Sequence, residues 1–272
     1  MGSWSFRHFW SVEGYFLYKY NAYWFLRWVA VTIESELRTI EQRLDKEGDT
    51  KEVRKSFWRI VGKIKRLNSN EITPEIIEKT ANIRNRFFKH KIVLGVKKGL
   101  VLFFFVAFFA LMGFIWTLLY FETILTLFLI LPPFYALIAL NGLLLVLLIF
   151  IAYGAYPWGR YLGGIIARVK FDGFYRYSPG ELGLKIEYRS YLRTTRSRRK
   201  WVFGFPIIWI FAIFFLSLPI AWILNPAGIW TPLLLVLLFG VFYMVIYYKK
   251  VGELYRFLRE FRIEREVNRS KE

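Results

Sequence analysis

Hydrophobic and polar positions along this chain separate into long blocks. Between Gly99 and Gly159 the only formally charged side chain is Glu122, and residues 201–248 carry none. Each block exceeds the roughly 20 apolar residues that cross a bilayer core of about 30 Å. Each is also too long for one helix and suits a hairpin of two. The pattern predicts spans over Gly99–Phe121, Leu131–Tyr153, Trp201–Leu224 and Thr231–Tyr248. Pro132 and Pro133 fit the start of the second span better than its interior. Asn225–Gly228 reads as a turn ahead of the fourth. The predicted fold class is an all-α integral membrane protein, with four transmembrane helices in two hairpins and a cytoplasmic helical N-terminal region.

Outside these blocks the period becomes helical and amphipathic. Ile33, Leu37, Ile40 and Leu44 follow a heptad-like spacing, as do Val53, Phe57, Ile60, Ile64 and Leu67. The turn-rich stretch 45–50 joins them, so an antiparallel helical hairpin is expected. Thr73-Pro74 predicts a third helix, with Thr as N-cap and Pro in the first turn. Its stripe of Ile76, Thr80, Ile83 and Phe87 continues towards the first span. In the tail, Val251, Leu254, Leu258 and Phe261 share one face of a helix whose other face mixes Glu and Arg. Ser178–Glu181 has the form of a capping box at a helix start.

The segments that result are an aromatic interfacial helix (1–31), a cytoplasmic helical hairpin region (32–98) and transmembrane hairpin 1 (99–153). A basic cytoplasmic loop (154–200), transmembrane hairpin 2 (201–248) and a cytoplasmic amphipathic tail helix (249–272) follow. The first is read as lying flat because a span over 14–33 would bury Lys19 and Arg27, each at ~2.5–3.5 kcal/mol. Trp10, Trp24 and Trp28 are its candidate interfacial anchors.

Charge sets the sidedness. The net charge is +19, carried by 39 Lys and Arg against 20 Asp and Glu. All the Lys and Arg fall in residues 1–98, 160–200 and 249–272. Paired spans return the chain to the side it left, so these three segments share one side. Cationic flanks mark the cytoplasm, which predicts an integral cell-membrane protein with both termini cytoplasmic. Trp116, Tyr120, Trp222 and Trp230 then form an outer aromatic belt, and Tyr153, Tyr156, Trp158, Trp201, Tyr247 and Tyr248 an inner one.

Composition narrows the chemistry. Cysteine is absent, which excludes disulfides, thiolate nucleophiles and thiolate metal sites. His8 and His90 are far apart in sequence. The chain has no phosphate-binding GxxxxGK[ST] loop, no HExxH pair and no GxSxG elbow. No catalytic residue, cofactor or metal is expected. Asp172 is the only aspartate after residue 49, too few acids for a metal-dependent lipid-modifying enzyme. Gly159 and Gly163 form a GxxxG pair suited to close helix packing.

Three surfaces remain as candidates. Glu122 falls at the outer end of the first span, as a solvated loop carboxylate or a pore-mouth acid. Arg193, Arg196, Arg198, Arg199 and Lys200 abut the third span as candidate contacts for anionic lipid headgroups. Residues 32–98 offer a platform for self-association or a protein partner. The expected function is a non-enzymatic multi-pass membrane subunit anchoring that platform, as a homo-oligomer or within a membrane protein complex. The alternative is an oligomeric channel with its pore between protomers. A lipid-modifying enzyme and a membrane-shaping protein are less supported, and nucleic acid is not an expected partner.

Overall fold

The computed structural model describes residues 31–67, 72–88, 92–127, 133–178, 181–249 and 252–269. The aromatic segment with Trp10, Trp24 and Trp28 lies outside them. The chain divides into two units, Met1–Lys89 and His90–Glu272.

In the first unit, α1 is described over 31–47. Gly48 follows it at φ 69 and returns its N–H to the Leu44 carbonyl. Such a left-handed residue closes a helix cheaply only when it lacks a Cβ. Helix α2 is Lys51–Arg66, capped by Thr50 accepting from the Val53 N–H. Helix α3 is Pro74–Phe87, with Thr73 as N-cap and Pro in its first turn. Lys63 bonds Glu36 at 2.7 Å, so α2 runs back along α1. Lys79–Glu41 at 3.3 Å and Arg86–Asp45 at 2.6 Å place α3 beside α1 in the same direction. Phe57 meets Phe87 at 5.3 Å between ring centres, which closes the bundle of three. The predicted stripes form its core: Ile33, Leu37, Ile40, Leu44, Val53, Phe57, Ile60, Ile64, Ile76 and Ile83 are all buried.

The second unit begins with a short strand, β1 (Ile92–Leu94), that feeds α4 (Val96–Leu119). A short helix α5 (Phe121–Leu127) precedes α6 (Pro133–Ala167). Strands β2 (Phe171–Ser178) and β3 (Glu181–Ile186) follow, then two short helices, α7 (Tyr188–Arg193) and α8 (Arg196–Arg199). Helix α9 (Trp201–Leu224), a 3-10 turn at Pro226–Gly228, α10 (Trp230–Tyr248) and α11 (Gly252–Arg269) complete the unit. Among the described residues, three helical stretches are long and apolar enough to cross a membrane: Val96–Leu119, Phe134–Ala167 and Arg196–Leu224. A fourth apolar stretch, Pro226–Phe242, is shorter.

Glycine sets how closely these helices cross. A Cβ on Gly154 would stand 2.7 Å from the Phe103 carbonyl and the Ala107 nitrogen of α4. One on Gly163 would stand 2.6 Å from the Trp201 carbonyl, and one on Gly159 would strike the Trp209 side chain at 2.9 Å. The GxxxG pair therefore is the seat of α9 on α6. At the opposite end Gly228 packs against Leu118 and Leu144. Phe114, Leu118, Phe121, Leu140, Leu144 and Phe214 fill the core between.

The segment read as a basic loop, 154–200, is instead built structure. Helix α6 runs 35 residues, or about 52 Å at 1.5 Å per residue, well beyond a hydrocarbon core of about 30 Å. It therefore continues past Tyr153 to Ala167. Ser178 and Glu181 pair across a β-hairpin, and the sheet order is β1-β2-β3, antiparallel throughout. The capping-box reading of 178–181 fails because flanking aromatic and aliphatic residues favour extended backbone. The sheet is anchored by Phe174, fully buried with Leu100, Phe103 and Leu184. A Cβ on Gly99 would stand 2.1 Å from the Phe174 ring, so any larger residue there would have to displace that buried ring. The fold remains mostly helical.

Candidate functional site

The start of α4, the end of α6, the start of α9 and α11 gather at one end of the second unit. Trp158 Nε1–H donates to the Leu100 carbonyl at 3.1 Å, which levels α6 with α4. Gly204 packs under Phe257, which levels α9 with α11. The sheet, α7 and α8 belong to the same end. Here the chain buries charge.

Helix α11 supplies three carboxylates along one face. Glu253 accepts from Tyr156 Oη–H at 3.0 Å and pairs with Arg160 at 3.2 Å, with the two side chains only 10% and 11% exposed. Glu260, 2% exposed, accepts from Tyr191 Oη–H at 2.9 Å. Glu264 pairs with Lys200 at 2.7 Å. Burial, then the Glu260 charge, holds the Tyr191 phenol well above its ordinary value near 10. The spacing of 253, 260 and 264 puts all three on one helical stripe.

Of the tail face predicted from Val251, Leu254, Leu258 and Phe261, Val251 lies outside the described residues and the rest is corrected by this arrangement. Phe261 is 44% exposed, while Glu253, Glu260 and Ile263 are buried. Apolar periodicity is a guide only where partners are apolar. The partners here are Arg160, Tyr156, Tyr191 and Lys200, and a buried carboxylate is stable where cations and hydroxyls satisfy it.

The five cations singled out beside the third span separate. Arg199 is buried at 2% exposure, with its guanidinium 5.9 Å from the Tyr191 ring. Lys200 is held by Glu264, and its ammonium lies 5.0 Å from the Phe261 ring. Arg196 is half-buried. Arg193 and Arg198 are exposed and line a cavity of ≈ 450 Å³ together with Arg168, Lys170 and Arg189. No signal in the run 193–200 pointed to Arg168, Lys170 or Arg189. They join it because α6 ends at Ala167 and α7 begins beside that end, where Thr194 Oγ1–H donates to the Ala167 carbonyl at 3.1 Å.

Glu122 is exposed, in the first turn of α5. Asp172 lies in β2 and pairs with Lys185 at 3.2 Å. Among the described residues no group of three or more His, Asp or Glu stands ready to hold a metal ion. Several polar side chains within the apolar helices are spent on backbone or on each other, while the buried Trp209 Nε1–H of α9 has no hydrogen-bond partner among the described residues. Thr231 Oγ1–H donates to Asn141 Oδ1 at 2.7 Å, joining α10 to α6, and Thr117 and Ser217 donate to carbonyls of their own helices. Comparison with protein-family models, with curated proteins and with solved structures finds no match for this chain.

Proposed function

We propose that this protein is a non-enzymatic multi-pass membrane subunit, with four spans in two hairpins and both termini cytoplasmic. It anchors a basic helical platform that binds a second copy or a protein partner. The observation that carries this reading is Trp58. It stands 48% exposed on α2 although the apolar face of that helix is already buried. Lys55 and Arg59 flank it, both exposed. Tryptophan beside cations is the composition of an interface anchor, because a large ring brings contact area at small entropic cost. Thr117, Ser217 and the Thr231–Asn141 pair are satisfied within or between their own helices, and no formally charged side chain lies in 201–248, which favours an anchoring role over transport through the protomer.

The test is the mass of the purified protein in mild detergent, with co-purifying chains identified on the same sample, for wild type and Trp58→Ala. A dimer or a stoichiometric partner, weakened at least ~30-fold by the substitution as expected of an anchor worth about 2 kcal/mol, supports the platform. A monomer without partner in both proteins counts against it. A larger closed homo-oligomer indifferent to Trp58, with ion flux in liposomes that changes on Glu122→Gln, would replace it by the channel.

A further inference from the structure

The cavity between the end of α6 and the α7–α8 region is lined by five cations, Arg168, Lys170, Arg189, Arg193 and Arg198, against one carboxylate, Glu187. Other cations at this end of the unit are committed: Arg160 to Glu253, Lys185 to Asp172, Lys200 to Glu264. Among the described residues, Arg168, Lys170, Arg193 and Arg198 enter no such ion pair, and all four are exposed. Cations held around one concavity repel one another, and a bound anion relieves that repulsion.

The walls are fixed by bonds that leave these side chains free to act. Lys170 N–H donates to Ser190 Oγ at 2.9 Å, and Glu187 N–H donates to the Lys170 carbonyl at 2.9 Å. Thr194 ties α7 to the last residue of α6. Arg168 itself sits at φ 57, a left-handed conformation that non-glycine residues seldom adopt, as the cap that ends α6. Its N–H bonds the Ile165 carbonyl, and Val169 N–H bonds that of Gly164. The cationic groups are thus carried on braced backbone, which lowers the ordering cost of binding.

We propose that this cavity is a phosphate-binding site for a phosphomonoester group, presented by a lipid headgroup or by a soluble ester. Three of its four uncommitted cations are arginines, whose planar forks take two phosphate oxygens at once. A phosphomonoester brings close to two negative charges and three acceptor oxygens, which suits several converging cations. Arg198 stands about one helical turn before Trp201, a residue type favoured at headgroup level. The cavity is therefore near a membrane surface and open to water. This inference stands independently of the platform reading, since no residue is shared between them.

The full chain in phosphatidylcholine nanodiscs is exposed to phosphatidic acid in one arm and to inorganic phosphate in the other. Protection of individual arginines from phenylglyoxal is read by mass spectrometry. The expected result is saturable protection of Arg168, Arg193 and Arg198. Arg168→Gln and Arg198→Gln each weaken it roughly tenfold or more, as loss of a charge-assisted bond predicts. Arg262→Gln, exposed on α11 and outside the cavity lining, leaves it unchanged. Protection by phosphatidic acid alone assigns a lipid source, and protection by inorganic phosphate assigns a soluble one; both uphold the site. Absent or non-saturable protection in the wild type overturns it. So does protection undiminished in the folded glutamine variants, or stronger protection by a single-stranded oligonucleotide. Because protection is read on the unaltered protein, a variant that fails to fold does not shelter the proposal.

Discussion

Tyr191 and Glu260 illustrate what a buried hydroxyl does beside a buried carboxylate. The phenol is held above its ordinary value near 10, first by burial and then by the Glu260 charge. Folded Tyr191 therefore keeps its proton at a pH where an unfolded tyrosine loses it. The unfolded state then binds fewer protons, and stability falls as pH rises beyond about 10, while below that the contribution is complete. Thermal unfolding of wild type should show this alkaline decline, and Tyr191→Phe should flatten it; equal slopes would assign it to other groups. Glu253 makes the complementary case at neutral pH. Glu253→Gln leaves the Arg160 cation, 11% exposed, with a neutral amide for a partner. Breaking one side of a buried pair costs about 3 kcal/mol or more. The expected signature is a lowered melting temperature together with faster hydrogen exchange over 252–269. Normal exchange there would mean that apolar contacts alone dock the tail.

Helix packing is the scale at which the glycines act. Gly163 gives α9 its closest approach to α6, and no side chain fits between them. Gly163→Ala should separate the helices and destabilise by about 1–3 kcal/mol, the usual cost of overpacking. Gly142 has nothing within 4 Å of its missing Cβ. Gly142→Ala should stabilise by as much as ~1 kcal/mol through helix propensity. Equal melting temperatures for the two variants would show that the α6–α9 crossing yields easily. The helices of the first unit were legible because heptad spacing, Gly48 and Thr73-Pro74 are local signals that agree with one another. The GxxxG pair was visible too, but its partner helix was not, since spacing names a face and never what it meets. The sheet was hidden for a different reason. Phe171–Ser178 is extended in company with Leu184 across the hairpin and with Leu94 and Phe103, which are distant in sequence. The cavity was half legible: the run 193–200 announced charge, but its sorting into exposed Arg193 and Arg198 and buried Arg199 depends on where α6 ends and α11 lies.

Sidedness belongs to the whole second unit. Its paired helices bring the start of α4, the end of α6 and the start of α9 to one end, with the 226–228 turn at the other. That arrangement concentrates the cations of residues 160–200 and of α11 together. Moving so many across a bilayer would oppose the membrane potential and strip each of its hydration, which is the ground for the proposed cytoplasmic placement of this end. The absence of cysteine makes this directly measurable, because single cysteines can be introduced without background. Thr123, Ser197 and Asn268 are exposed positions suited to it. In intact cells an impermeant maleimide should label Thr123→Cys and spare Ser197→Cys and Asn268→Cys, and lysis should make all three reactive. Labelling of Ser197→Cys and Asn268→Cys with Thr123→Cys protected would invert the orientation. Labelling of Asn268→Cys alone would place α11 across the membrane from α8, which is incompatible with the Lys200–Glu264 bond at 2.7 Å and would overturn the proposed second hairpin.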